Sequence, residues 1–411
     1  MSPVNPTQSS RTALKALAWT LAWLLLLDVG AHAVIHRIAA RNPDSGLVRY
    51  FQYGLSVETK LDEVTRLPAS ARDAQILSAG WLDPDEWRKL PDTPAPGADK
   101  LIALYGQSFA FNVARAAAQL DGHLTLRGIG GPAAPPDHSY AAYLADGGNE
   151  HADIVIVGIL ASAVPHMGSM SGIDWTFEHP APFTFPRYSL RDGRLEAEAP
   201  AIRTEQQFRE AFSRRSTAWQ SFKDQLARND RGFDPIAFDR TWLDKSQVAL
   251  LMRRGWVAHS QDYSRGVYDP VSGFSPGSTQ VQVLKAILLD LGERTRARGQ
   301  RLIVLLEQDQ GYADSLYRAL GPTLEAGHIE YLSTHDVFSA NDPRNFQGDG
   351  HYTAQANELF AKRLQLMIRS SSASRASIPS YGCAPRQAAT SFDERYCNKA
   401  ARERRSWLAA G

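Results

Sequence analysis

The chain has 411 residues, of which 43% are hydrophobic and 22% are charged, so it has the composition of a globular protein with one large domain or two smaller ones. Its 45 basic and 44 acidic residues give a net charge of +1, and no basic block stands out. This balance argues against a nucleic-acid-binding protein, and we expect no nucleic acid among its partners.

The N-terminal segment, residues 1–37, contains an apolar run that predicts export, as a membrane anchor or a signal segment. Residues 16–27 carry no charge, and the run continues through Asp28 and His32 to about the length needed to span a bilayer. Both polar residues are costly inside a membrane. The alternatives are a signal peptide cleaved near Ala33 and a buried core helix. We favour a retained anchor, because the amphipathic pattern continues beyond the cleavage site.

The next segment, residues 38–100, is predicted to form a helical neck that ends in a proline-rich linker. From Leu101 onwards, short apolar runs alternate with helical patterns. The predicted strands are residues 101–105, 123–131, 153–160, 301–307 and 328–333. Continuous apolar strands separated by helices predict a parallel sheet that is covered on both faces.

The fold class is therefore α/β: a doubly wound, flavodoxin-like α/β/α sandwich over residues 101–368, preceded by an N-terminal hydrophobic helix. Sites in such folds lie at the carboxyl ends of the strands. The alternation breaks down over about residues 164–276, which we interpret as an inserted subdomain. Within it, the sequence "RDGR" predicts a hairpin.

Residues 369–411 are predicted to be a polar linker and a C-terminal tail. Both cysteines of the chain, Cys383 and Cys397, lie there. In an oxidising compartment they could close a short loop as a disulfide, and two unpaired thiols are the alternative. No cysteine or histidine spacing predicts a metal or redox site, and we expect no cofactor.

Ser108 follows the first predicted strand and opens a helix. A serine at this position can cap the helix, or it can be a nucleophile whose oxyanion is met by backbone N–H groups. Near the other end of the domain, Asp349 and His351 share a glycine-bounded loop before an amphipathic helix. A nucleophilic serine needs a base, and the base needs an orienting carboxylate, so we predict a catalytic triad of these three residues. In the alternative, Asp349 makes only local backbone bonds at the helix entry.

These two motifs together resemble the SGNH (GDSL-like) hydrolase superfamily. They resemble in particular its membrane-anchored or periplasmic branch, which is associated with bacterial exopolysaccharide and cell-envelope acylation. The sequence "YGQSF" at 105–109 stands where that family has its Gly-x-Ser block, and "GDGHYTAQANELFA" at 348–361 matches its last block. The resemblance implies a serine esterase or acyltransferase that acts on O-acyl groups, with O-acetyl favoured, of an envelope or secreted polysaccharide.

The chain also departs from the family pattern. Gln107 stands where the family usually has aspartate before the serine. The family's second block supplies a glycine N–H to the oxyanion hole, for which we favour Gly130 over Gly131. Its third block carries an asparagine that is absent here, and Ser162 is predicted to replace it, together with the backbone N–H of Ser108. Loss of one oxyanion donor costs about 10²–10³ in rate.

Several further residues are candidate substrate contacts. His166 and Trp175 follow the central strand, and Glu307 and Asp309 lie at the end of the fourth strand, at the predicted active edge of the sheet. The alternatives are a surface-loop histidine for His166, and helix-capping or solvated carboxylates for Glu307 and Asp309. The aromatic residues of the insertion could form a platform for sugar rings, or a small core: Trp175, Phe177, Phe183, Phe185 and Tyr188.

The resemblance implies an acylated polysaccharide or glycan as substrate and polysaccharide-synthesis proteins as possible partners, while the N-terminal segment implies the membrane. The implied location is the bacterial inner membrane with the main domain in the periplasm, or the periplasm itself after cleavage. The alternative function is a catalytically inactive SGNH-fold protein that binds polysaccharide or a synthesis partner. A third is a thioesterase or lipase at the membrane surface.

Overall fold

The computed structural model describes residues 6–43, 45–68 and 70–370, so Cys383, Cys397 and most of the predicted tail lie outside the described residues. Residues up to Gln365 form one compact unit. The α-helices are α1 (Pro6–Arg41), α2 (Gly46–Gln52), α3 (Val57–Thr65), α4 (Arg72–Ser78), α5 (Pro84–Trp87), α6 (Ser108–Leu120), α7 (Pro136–Ala145), α8 (Gly172–Trp175), α9 (Glu205–Ser213), α10 (Thr217–Asn229), α11 (Pro235–Phe238), α12 (Gln247–Ser260), α13 (Thr279–Ala297), α14 (Ser315–Ala326) and α15 (Ala354–Arg369). The strands are β1 (Lys100–Gly106), β2 (Leu124–Gly130), β3 (Ile154–Leu160), β4 (Arg187–Arg191), β5 (Arg194–Glu198), β6 (Tyr268–Asp269), β7 (Gly273–Phe274), β8 (Arg301–Glu307) and β9 (Glu330–Ser333).

A five-stranded parallel sheet in the order β2-β1-β3-β8-β9 forms the centre of the molecule. Its register pairs Gly106 with Gly130, and Leu160 with Glu307. The carboxyl ends of the central strands therefore meet at one edge of the sheet. The predicted α/β class and parallel sheet are confirmed.

Helices cover both faces of this sheet. Alternate residues of the strands, such as Tyr105 and Val157, belong to one core with α7, α13 and α14. On the other face α6 lies so close that a Cβ added to Gly158 would be 2.4 Å from the Cβ of Ala110. The doubly wound arrangement is confirmed, and it places the first residue of α6 at the carboxyl edge of the sheet.

The chain between β3 and α13 contains the predicted hairpin. Strands β4 and β5 pair antiparallel around Asp192 and Gly193, whose φ angles of 49° and 74° suit the tight turn that Asp-Gly favours. A second hydrophobic core joins this part of the chain, for example Phe208 and Phe222, to Leu61 of the neck. The neck and the insertion thus share one core, and the predicted domain boundaries stay predictions.

Among the residues whose side chains the structure describes, the second half of helix α1 contacts the rest of the folded unit. The helical stretch Thr12–Arg41 is long and apolar enough to cross a membrane, by length and composition. Residues 12–27 are exposed, and the first contact is at Asp28, whose carboxylate accepts hydrogen bonds from Ser246 Oγ (3.0 Å) and from the N–H of Val248 (2.9 Å). About two turns further along α1, Ile35 is buried. The predicted N-terminal hydrophobic helix is confirmed.

The contact between α6 and β3 gives a stability prediction. In Gly158→Ala the new methyl group overlaps Ala110, and we expect the free energy of unfolding to fall by about 1–3 kcal/mol. Gly255→Ala is the matched control, because Gly255 is exposed on α12 with nothing within 4 Å of an added Cβ, and alanine there should be neutral or stabilising by up to about 1 kcal/mol. Urea unfolding in detergent measures both, and equal stabilities would contradict the packing described here.

Candidate active site

Ser108 is the first residue of α6, two positions after β1 ends. The helix is capped by its neighbour: the Gln107 side chain accepts a hydrogen bond from the N–H of Ala110 at 3.1 Å. Capping was the alternative role for Ser108, and Gln107 takes that role. The Ser108 hydroxyl is left exposed at the positive end of the helix dipole.

The structure brings Ser108 together with the distant loop. Ser108 Oγ lies 2.6 Å from His351 Nε2, across 243 positions of sequence. His351 Nδ1 lies 3.3 Å from Asp349 Oδ2, and the other oxygen of this carboxylate accepts the backbone N–H of His351 at 3.1 Å. The three side chains form a continuous path from carboxylate through imidazole to hydroxyl.

The carboxylate end of this path is open to solvent. The Asp349 side chain is 66% exposed, against 31% for His351. The hydrogen bond from the His351 N–H, together with the imidazole charge, holds the pKa of Asp349 below its usual value. Since an exposed ion pair is screened by water, Asp349 orients the imidazole more weakly than a buried carboxylate would.

Two aromatic residues hold the imidazole in place. The ring of Phe109 stacks on the ring of His351, with centroids 4.9 Å apart and planes at 24°. Tyr352 is buried and donates its hydroxyl hydrogen to the carbonyl oxygen of Gln308 at 2.9 Å, which ties the loop to the end of β8. We did not predict these roles from the sequence, although each aromatic residue directly follows a predicted catalytic residue.

Glu307 lies beneath the site and not in it. Its side chain is fully buried at the end of β8, and Oε2 accepts a hydrogen bond from Gln107 Nε2 at 3.0 Å. Burial raises the pKa of Glu307 to about 8, although the bond from Gln107 works in the opposite direction. The expectation that Glu307 contacts substrate was therefore wrong, because the carboxyl group supports the residue next to Ser108 from below.

The predicted oxyanion donors lie at this same edge of the sheet. Gly130 ends β2, directly beside Gly106. Ser162 is engaged elsewhere, because its N–H and its hydroxyl both donate to the Asp309 carboxylate, at 2.7 and 3.0 Å. Burial raises the pKa of Asp309, and the two bonds from Ser162 and, more weakly, the charge of His351 work against that rise. Ser162 can serve an oxyanion only by giving up these bonds, which leaves Gly130 and the Ser108 N–H as the predicted donors.

The aromatic residues of the insertion pack on one another. Phe183 and Phe185 are fully buried, which corrects the idea of an exposed sugar platform in favour of the small core. Trp175 contacts both of them, and its ring lies 5.1 Å from that of His166. Burial lowers the pKa of His166 to about 4, so this imidazole is neutral at pH 7. Substrate contact by His166 and Trp175 stays a prediction.

Within the part of the chain that the structure describes, no group of three or more His, Cys, Asp or Glu residues is arranged to hold a metal ion.

Comparison with known proteins assigns no family. No family model and no curated protein matches the chain. Among solved structures, a "putative acylhydrolase" from Bacteroides fragilis NCTC 9343 matches with a TM-score of 0.35 and 10% sequence identity, over 69% of this chain and 93% of that chain. A similarity this distant assigns no activity to the chain.

The burial of Glu307 predicts a pH dependence of stability. Its pKa is raised from 4.5 to about 8 by folding, so the folded state holds this proton more tightly than the unfolded chain. The free energy of unfolding is therefore highest below pH 4.5 and falls as the pH rises towards 8. Glu307→Gln keeps the shape and the bond to Gln107 without a charge. We expect it to remove this loss, worth on the order of 3–5 kcal/mol, so that the variant exceeds wild type in stability at pH 8.

Thermal unfolding between pH 4.5 and 8 measures this effect, and the exposed Glu293→Gln is the control that should keep the wild-type slope. Parallel curves for Glu307→Gln and wild type would contradict a buried, neutral Glu307.

Proposed function

We propose that the chain is a membrane-anchored serine esterase or O-acyltransferase that acts on O-acyl groups, with O-acetyl favoured, of an envelope or secreted polysaccharide. The observation that carries the catalytic part is the path from Asp349 through His351 to Ser108 at the N-terminus of α6. The polysaccharide part is supported by the resemblance of the two motifs to SGNH hydrolases and by the apolar helix α1.

The proposed reaction proceeds through an acyl-enzyme. Ser108 Oγ attacks the ester carbonyl while its proton passes to His351 Nε2, 2.6 Å away. The backbone N–H groups of Ser108 and Gly130 receive the developing negative charge on the carbonyl oxygen. His351 then gives the proton to the leaving sugar oxygen. In the second half, His351 deprotonates water in hydrolysis, or an acceptor hydroxyl in transfer; this oxygen takes the acyl group, the ester bond to Ser108 breaks, and His351 returns the proton to Ser108 Oγ.

The contact at Asp28 supports a retained anchor over a cleaved signal. Cleavage near Ala33 would remove the carboxylate that accepts from Ser246 and Val248, and would leave the start of α12 without this partner. We propose that the folded unit stays tethered to the bacterial inner membrane and lies in the periplasm.

A catalytically inactive fold that binds polysaccharide or a synthesis partner is the second candidate. The observation that favours it is the engagement of Ser162 by Asp309, at the place where the family has an asparagine donor. The exposure of Asp349 also favours the inactive fold, since a carboxylate that water screens stabilises an imidazolium less than a buried carboxylate does.

Hydrolysis of p-nitrophenyl acetate by the full chain in detergent separates the two candidates. For an enzyme, Ser108→Ala and His351→Ala should each lower kcat/KM by about 10³-fold or more, because nucleophile and base act as a unit. Asp349→Asn should cost markedly less than His351→Ala, because the carboxylate is exposed.

The matched controls are Ser213→Ala and His123→Ala, which remove the same side chains from exposed sites and should keep wild-type rates. Wild type no faster than Ser108→Ala would favour the binding protein. A steep preference for long acyl esters would instead favour a lipase or thioesterase at the membrane surface.

A further inference from the structure

The level at which α1 enters the bilayer follows from its sequence and from the Asp28 contact. The charge-free residues 16–27 rise about 18 Å as a helix, which is short of a hydrocarbon core of about 30 Å. A span of about 20 residues that begins at Thr12, with Lys15 extended towards the headgroups, ends at Ala31. Asp28 therefore lies within the last turn of the span, near one surface of the bilayer.

The residues that bind Asp28 must lie at this surface too. Ser246 caps α12 and directly follows the 3-10 turn Trp242–Lys245, and Val248 lies in the first turn of the helix. Because these groups are within hydrogen-bond distance of Asp28, the start of α12 is at the height where the bilayer ends. The start of α12 therefore lies directly at the surface of the bilayer.

Four large apolar side chains on the segment that contains this point are exposed. Trp242 is 75% exposed, Met252 70%, Trp256 47% and Leu251 39%. These four side chains, which we call the Trp242 patch, lie on the 3-10 turn and on α12. Outside α1, Trp242 and Trp256 are the exposed tryptophans among the described residues. Tryptophan is enriched where apolar and aqueous surroundings meet at a membrane.

The turn that carries Trp242 is held rigidly. The Asp244 side chain accepts hydrogen bonds from the N–H of Ser56 at 2.8 Å and from Arg253 Nη1 at 2.5 Å. It also accepts from the N–H of Thr241, which closes the turn on itself. These bonds fix the backbone from which the exposed indole of Trp242 projects.

We propose that the Trp242 patch lies in the lipid–water interface beside α1, as a second membrane contact of the folded unit. This inference rests on the proposed anchorage of α1 in a membrane. The turn that carries Trp242 leads directly into the start of α12, which is bonded to Asp28 of α1, and this link to the anchor favours lipid over a protein partner as the occupant of the patch. Together the two contacts fix the height and the tilt of the unit on the membrane, where one flexible tether would fix neither.

The test uses the full chain in vesicles of phosphatidylcholine and phosphatidylglycerol. In a Cys383→Ser, Cys397→Ser background, single cysteines carry the environment-sensitive dye NBD at Trp242→Cys, at Leu21→Cys on α1, and at Val271→Cys. Val271 is 91% exposed on the turn between β6 and β7 and is the matched water-facing control. Lipids with a doxyl group near the headgroup report contact at positions 242 and 271, and lipids with a doxyl group deep in the acyl chain report burial of position 21, which lies near the middle of the span.

We expect doxyl lipids to lower NBD emission at position 242 by about twofold or more, as for other interfacial residues, and to leave position 271 unchanged. If position 21 is quenched while position 242 behaves like 271, the anchorage holds and the inference is overturned. A patch that binds a protein partner in the cell, and not lipid, would give this same result in vesicles. If position 21 is not quenched, the anchorage itself fails, and the inference fails with it.

Discussion

Two hydrogen bonds made by the Gln107 side chain determine where Ser108 can be. Its carbonyl oxygen caps α6, and its amide donates to Glu307, which is buried at the end of β8. These bonds tie the start of the helix to the end of β8 and leave the Ser108 hydroxyl available to His351. A glutamine performs this task without a charge, which suits a buried place next to a carboxyl group.

The pairing of Gln107 with Glu307 gives the site an unequal distribution of charge. Beneath the helix, burial raises the pKa of Glu307 to about 8 and keeps the carboxyl group neutral near pH 7. Above it, Asp349 is exposed and ionised beside His351. Water therefore screens the charge of Asp349, the carboxylate on the same loop as His351. The stacked ring of Phe109 is correspondingly important for holding His351 in place.

Local patterns were sufficient to predict some of this structure. Apolar runs bounded by helical patterns placed the strands of the central sheet, and "RDGR" placed the hairpin, because both signals are contained in a few consecutive residues. The motifs at Ser108 and His351 led us to expect their proximity, since the carboxyl ends of parallel strands meet at one edge. Whether the triad is catalytic stays a prediction.

Long-range packing was not accessible in the same way. No local pattern shows that Glu307 is buried under Gln107, that Asp309 takes both donors of Ser162, or that Phe183 faces inward. Each depends on which segments meet across many positions of sequence. Asp28 is the clearest case: in the sequence it reads as a costly charge in an apolar run, and only the contact with α12 shows what it binds.

The central claim, that Ser108 is a nucleophile activated by His351, is tested most directly by covalent trapping. The full chain is treated with a fluorophosphonate, and the modified peptide is identified by mass spectrometry. The account predicts one adduct, on Ser108, formed much more slowly in His351→Ala and blocked when the substrate ester is in excess. An unmodified chain, or labelling of Ser108 at the same rate without His351, would contradict it.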